Sequence, residues 1–125
     1  MKKLLFLWIV FLCYGWSVAK AQDATVVDYT GTINGNLAIT MQLTFSPMEG
    51  YNNAYKITGW YYYNSQGSNK KLTVEGMWQM SNLLFSETVN GAGTGAFELK
   101  EEANGVLKGT WSNGKSTLPV YLKAK

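Results

Sequence analysis

Residues 37–45 read LAITMQLTF, and they carry the clearest pattern in the chain. Leu37, Ile39, Met41, Leu43 and Phe45 stand two apart, with Ala38, Thr40, Gln42 and Thr44 between them. Side chains of an extended backbone point alternately to opposite faces, so this run is a strand with one apolar side and one polar side. Period two continues beyond it on both flanks, and no window after residue 21 shows a helical period. Thr, Val, Ile and aromatic residues fill the runs, while Gly and Asn separate them.

Working outward, the pattern predicts eight strands. They cover Val26–Ile33, Leu37–Phe45, Ala54–Tyr63, Lys70–Trp78, Asn82–Val89, Thr94–Lys100, Val106–Ser112 and Lys115–Lys123. Asn-Gly pairs at Asn34, Asn90, Asn104 and Asn113 each lie between two runs, and both residues tolerate the positive φ of a type I′ hairpin. The longest connection is Ser46–Asn53, which contains Pro47, Met48 and Tyr51. Short connections favour sequential antiparallel neighbours. Gly31, Gly59, Gly76, Gly95 and Gly109 fall within strands, where glycine suits a sheet that bends or closes. Closure also removes two exposed sheet edges. The expected fold is therefore all-β, an eight-stranded antiparallel up-and-down meander barrel. A two-layer sandwich or half-open roll is the rival.

The first 21 residues have a different character. Lys2 and Lys3 precede the apolar run Leu4–Trp16, and Ala19-Lys20-Ala21 has the small-x-small form of a cleavage site. Residues 1–21 are expected to be a secretory signal peptide, and residues 22–125 a single barrel domain that is exported, periplasmic or extracellular. The apolar run is short for a bilayer span, so no stable membrane span is expected after cleavage. Bulky Leu12 before Cys13 argues against lipid attachment there.

Removing the leader changes the charge. The whole chain has 11 basic residues against 8 acidic ones. Lys2, Lys3 and Lys20 leave with the leader, so the remainder is near neutral. Nucleic-acid binding, which needs concentrated positive charge, is not expected. The chain has no His and no Arg, and its one Cys lies in the leader. The domain thus lacks an imidazole base, a thiol nucleophile and a Cys/His zinc set. Among the acids, Asp28, Glu75 and Glu98 fall on polar faces, and Glu101-Glu102 reads as a solvated turn. A convergent carboxylate pair with Glu87 is not expected. The chain reads as no enzyme, and no cofactor is indicated.

Two places invite a binding role. In Trp60-Tyr61-Tyr62-Tyr63, Tyr61 shares a face with Tyr55, Ile57 and Tyr63, and that face is assigned to the interior. Trp60 and Tyr62 share the other face with Lys56 and Thr58 and point outward, unless a bulge after Gly59 reverses them. The pair then forms a cross-strand ladder, or an external patch for a partner, a glycan or a second subunit. Glu87 alternates with Leu83, Phe85 and Val89, which places a carboxylate at the lining or the barrel mouth. Such a group must be hydrogen-bonded. Trp111 falls on the inner face with Leu107. The candidate ligand-binding residues are therefore Trp60, Tyr61, Tyr62, Glu87 and Trp111. No residue is assigned to catalysis or to a metal.

The alternating strands and the glycine-aromatic endings Gly59-Trp60, Gly76-Met77-Trp78 and Gly109-Thr110-Trp111 resemble the small meander barrels of the lipocalin, fatty-acid-binding and avidin-like kind. The chain is similar in this respect to small secreted bacterial β-barrel proteins. The early Tyr29-Thr30-Gly31 has no Trp where lipocalins usually carry Gly-x-Trp, and no biotin site carries over. The resemblance implies a non-catalytic binding module for a small ligand or a partner. A periplasmic interaction or inhibitor protein, with Ser46–Asn53 as its contact, and a homo-oligomeric structural protein are the alternatives.

Overall fold

The computed structural model describes residues 24–125, so the expected signal peptide lies outside the described residues. Eight strands follow in chain order: β1 (Thr25–Ile33), β2 (Leu37–Pro47), β3 (Ala54–Tyr63), β4 (Leu72–Gln79), β5 (Asn82–Val89), β6 (Ala92–Glu102), β7 (Val106–Ser112) and β8 (Thr117–Ala124). Each pairs antiparallel with the next, and β1 pairs with β8 from Tyr29↔Ala124 to Ile33↔Val120. The sheet is a closed barrel. Closure within one chain sets aside the sandwich, the half-open roll and edge pairing between subunits.

The alternation that predicts the strands also decides the inside. Ile39, Met41, Leu43 and Phe45 of β2 are buried, as are Leu83 and Phe85, Phe97 and Leu99, Leu107, Val120 and Leu122. With Tyr29, Ile33, Ile57, Tyr61 and Val74 they form one continuous core. An eight-stranded barrel is just wide enough for side chains to fill it. Here large rings pack on the inner face, between paired strands and between strands that are not neighbours. Phe85 stacks on Phe97 with centroids 4.8 Å apart, and Tyr61 meets Phe97 edge-on at 5.2 Å.

Inward glycines let the wall curve tightly. A Cβ on Gly59 would lie 2.0 Å from the carbonyl oxygen of Gln42, and one on Gly109 would lie 2.0 Å from that of Glu98. No side chain fits where a neighbouring backbone crosses so closely.

The turns differ from expectation in two places. Asn34-Gly35 and Asn90-Gly91 have the positive φ of primed turns, and Asn104-Gly105 is likewise positive. At Asn113 only Gly114 is positive. The Asn113 carboxamide oxygen instead accepts the backbone N–H groups of Lys115 and Ser116, so its side chain closes the turn. The two-residue β4–β5 turn, Met80-Ser81, has both residues at positive φ without a glycine. Nothing in its composition announces that conformation.

Candidate functional site

The meander puts the β1–β2, β3–β4, β5–β6 and β7–β8 turns at one rim, called here the upper rim. The other three turns and both ends of the described chain lie at the lower rim. Glu87, near the end of β5, lies just below the upper rim and is 6% exposed. Its Oε1 accepts from the Tyr61 hydroxyl and, at 3.0 Å, from the Trp111 indole N–H. Its Oε2 accepts from the Thr94 hydroxyl at 2.8 Å. One carboxylate thus joins β3, β5, β6 and β7 across the interior. Burial, and then the hydrogen bond to Glu87, hold the Tyr61 phenol well above its ordinary pKa, so it remains a donor. The indole of Trp111 occupies the space over Gly95, where a Cβ would lie 2.5 Å from Nε1.

The face shared by Leu83, Phe85 and Glu87 ends there. The β5–β6 register shifts between Glu87 and Thr88, and Val89 is exposed rather than inward. A bulge at the strand end releases it from the lining.

No such break interrupts β3. Its pairing with β2 and β4 is continuous through Gly59, so Trp60 and Tyr62 point outward while Tyr61 is fully buried. The two outer rings are half-exposed, nearly parallel at 14°, and 6.0 Å apart between centroids. The Lys71 ammonium lies 4.1 Å from the centre of the Trp60 ring, a cation–π contact. Cross-strand neighbours are polar: Gln42 and Thr73 flank Trp60, and Thr40 flanks Tyr62. The Gln42 amide donates to Asp28 Oδ1 at 2.9 Å, and the Thr40 hydroxyl donates to Asn64 Oδ1 at 2.7 Å.

The five residues singled out in the sequence therefore divide in two. Glu87, Tyr61 and Trp111 are bonded together inside, while Trp60 and Tyr62 lie on the outer wall. The link is β3 itself, since Tyr61 pins from within the segment that carries Trp60 and Tyr62.

Asp28, Glu75 and Glu98 are on the outside, as their polar-face positions suggested. Glu101 corrects the expectation of a solvated turn. It belongs to β6, shares the inner face with Phe97 and Leu99, and is half-buried at the lower rim. The Trp78 indole N–H donates to its Oε1 at 3.0 Å, while its Oε2 is buried with no hydrogen-bond partner. Burial pushes this carboxyl from 4.5 up to about 7, with the Trp78 bond opposing. Burial also raises the Tyr29 phenol, and the nearby Glu101 charge adds to that. Tyr55 packs edge-on against Trp78 at 5.3 Å. The signal that could have found Glu101 is parity: it stands two residues beyond Leu99. The adjacent Glu102 and Asn104-Gly105 suggested a turn instead.

A separate groove of about 590 Å³ opens on the outer wall at the lower rim, between Pro47 and Met48 and the outward Met77 and Leu84. Met77 and Leu84 face each other in register. Among the described residues no group of three or more His, Cys, Asp or Glu side chains could hold a metal ion. No helix there is long and apolar enough to cross a membrane.

Comparisons with protein families, curated proteins and solved structures find no match. The geometry thus stands alone: a closed eight-stranded antiparallel barrel, broadly compatible with lipocalin-like barrels, with an interior lined by one apolar core and an aromatic pair on its outer wall.

Proposed function

We propose that the protein is an exported, non-catalytic binding module whose ligand or partner engages the outer wall at β3. The observation that supports this reading is the near-parallel Trp60–Tyr62 pair, carried outward on a strand anchored from inside by Tyr61 and Glu87. The interior is occupied by core side chains, and three donors from the chain itself engage the two Glu87 oxygens. That inventory favours a structural role for Glu87, Tyr61 and Trp111, and a contact role for Trp60 and Tyr62. Rigid aromatic surface at a fixed spacing gives contact area at little entropic cost.

The test is a double variant, Trp60→Ala with Tyr62→Ala, challenged with a panel of soluble saccharides and peptides that bind the wild type. Its urea midpoint should stay near wild type, and its binding should fall at least tenfold. Full retention of every affinity would refute the wall as the binding surface.

The lower-rim groove favours a second reading, a protein-interaction or inhibitor surface. Exposed Met77 and Leu84 line it together with Met48 and Glu49 of the loop that the sequence marks as a contact. Methionine-rich surfaces adapt to partner side chains. Met77→Asp with Leu84→Lys would abolish recovery of a protein partner under this reading and spare it under the first.

A further inference from the structure

We propose that the lower-rim outer wall at β4 and β5 is the contact face of a symmetric dimer, its occupant a second copy of this chain. The proposal rests on the reading of the groove there as a protein-interaction surface and names the partner. It does not depend on the wall at β3.

Register places four outward side chains in one row across this wall. Lys56 of β3 stands opposite Met77 of β4, Met77 opposite Leu84 of β5, and Leu84 opposite Glu98 of β6. The row reads cation, apolar, apolar, anion. A half-turn about an axis parallel to the strands, lying in the contact plane between β4 and β5, reverses that order. It sets Leu84 of one copy against Met77 of the other, and Glu98 against Lys56, each contact occurring twice. A surface that is its own complement under a half-turn is what an isologous dimer requires. The flanking rows obey the same operation. Glu75 pairs with Ser86 in one and Gln79 with Asn82 in the other, so the half-turn sets a carboxylate against a hydroxyl and an amide against an amide. No like charges meet in the three rows.

The apolar pair favours covering this face. Leu84 is 54% exposed and Met77 39%, and the groove of about 590 Å³ extends from them toward Pro47 and Met48. Under the half-turn Leu84 of one copy lies over Met77 and this groove, where the unbranched Met77 and Met48 can repack around it. The charges at the ends of the row are free to engage. Lys56 lies 3.7 Å from Glu75 of its own chain with both side chains more than half exposed, a loose pair of small worth. Glu98 is exposed and is in neither ion pair found among the described residues. A second copy matches both ends of the row at once.

Sedimentation of the protein over a rising series of concentrations reads the dimer directly. The wild type should shift from monomer to dimer. Lys56→Glu meets Glu98 of the second copy with a like charge, and Glu98→Lys does the same to Lys56, so each should weaken dimerisation at least about tenfold. Mixed in equal amounts, the two variants should form a heterodimer at near wild-type affinity, because both charged contacts are then attractive. Each variant must be folded to rescue the other, so the mixture separates a lost contact from a lost fold. A wild type that stays monomeric throughout would overturn the proposal, as would variants that dimerise like the wild type or a mixture that fails to recover. So would a dimer dispersed by Trp60→Ala with Tyr62→Ala and not by Lys56→Glu. If the wild type is monomeric and a different protein partner is lost in Met77→Asp with Leu84→Lys, the second copy falls as occupant and the groove reading stands. If a dimer forms that Met77→Asp with Leu84→Lys leaves intact, the groove reading falls with the proposal.

Discussion

Replacing Glu87 tests the internal network directly, because two substitutions of similar size have opposite hydrogen-bonding consequences. In Glu87→Gln the remaining carbonyl oxygen can still accept from both Tyr61 and Trp111, as Oε1 does now. The new amide N–H2 would face Thr94, whose hydroxyl can turn from donor to acceptor. All three contacts persist, and the loss is limited to charge assistance, about 0.5–1 kcal/mol. In Glu87→Leu all three donors lose their acceptor. The costs differ with exposure. Thr94 is exposed and Trp111 is half-buried, so water can reach them. Tyr61 is fully buried, and its stranded hydroxyl alone costs about 1–3 kcal/mol. The net expectation is about 2–3 kcal/mol, with the added apolar surface offsetting the lesser losses. Urea unfolding followed by tryptophan fluorescence would show this as a lowered midpoint at unchanged slope, by about 1–2 M. The decisive arm is the double variant Glu87→Leu with Tyr61→Phe. Removing the stranded hydroxyl should recover at least about 1 kcal/mol relative to Glu87→Leu alone. A Leu variant within about 0.5 kcal/mol of wild type, or a Gln variant as damaged as the Leu variant, would refute the reasoning.

Three other expectations follow from the same geometry. The Glu101 carboxyl is raised in the folded state from 4.5 to about 7, so its stabilising contribution is complete below pH 4.5 and is lost as pH rises through about 7. With a discount for the water reaching this half-exposed group, the effect is about 1–2 kcal/mol. Stability measured from pH 4.5 to 8 should fall more steeply for wild type than for Glu101→Gln, and parallel curves would disprove the link. Gly109→Ala should cost about 3 kcal/mol, since its Cβ would meet a neighbouring carbonyl 2.0 Å away; an unchanged thermal midpoint would mean the wall is not packed this closely. Ser81→Gly should stabilise by about 0.5–1 kcal/mol, because φ of 70° at Ser81 is strained for any side chain and free for glycine. A lower denaturation midpoint for that variant would count against the primed turn.

Most of the architecture was legible because a barrel wall obeys one simple period. The residues of 37–45 alternate cleanly, and Ile39, Met41, Leu43 and Phe45 are indeed inside, whereas Leu37, which shares their parity, is exposed at the start of the strand beside the rim. The spans Ala54–Tyr63, Asn82–Val89 and Val106–Ser112 are the strands observed, since Asn-Gly pairs and polar turns bound them chemically. Inward parity likewise placed Tyr61 and Glu87, and the need to satisfy a buried carboxylate foretold that Glu87 would be hydrogen-bonded. Other features have no local signature. Val89 follows the inward parity and is nevertheless exposed, because a register shift depends on how β6 meets β5 and not on β5 alone. Met80-Ser81 adopts positive φ because Gln79 and Asn82 are paired and the chain must reverse in two residues. Glu101 is drawn inward by the extension of β6 along β7, against the solubility of its charge. Above all, the pairing of Tyr61 and Trp111 with Glu87, and of Trp78 with Glu101, required the curved wall, because each bond passes over an intervening strand. Period two says which face a side chain takes. Only the curvature and stagger of the whole barrel bring side chains from strands that are not paired within hydrogen-bonding distance inside it.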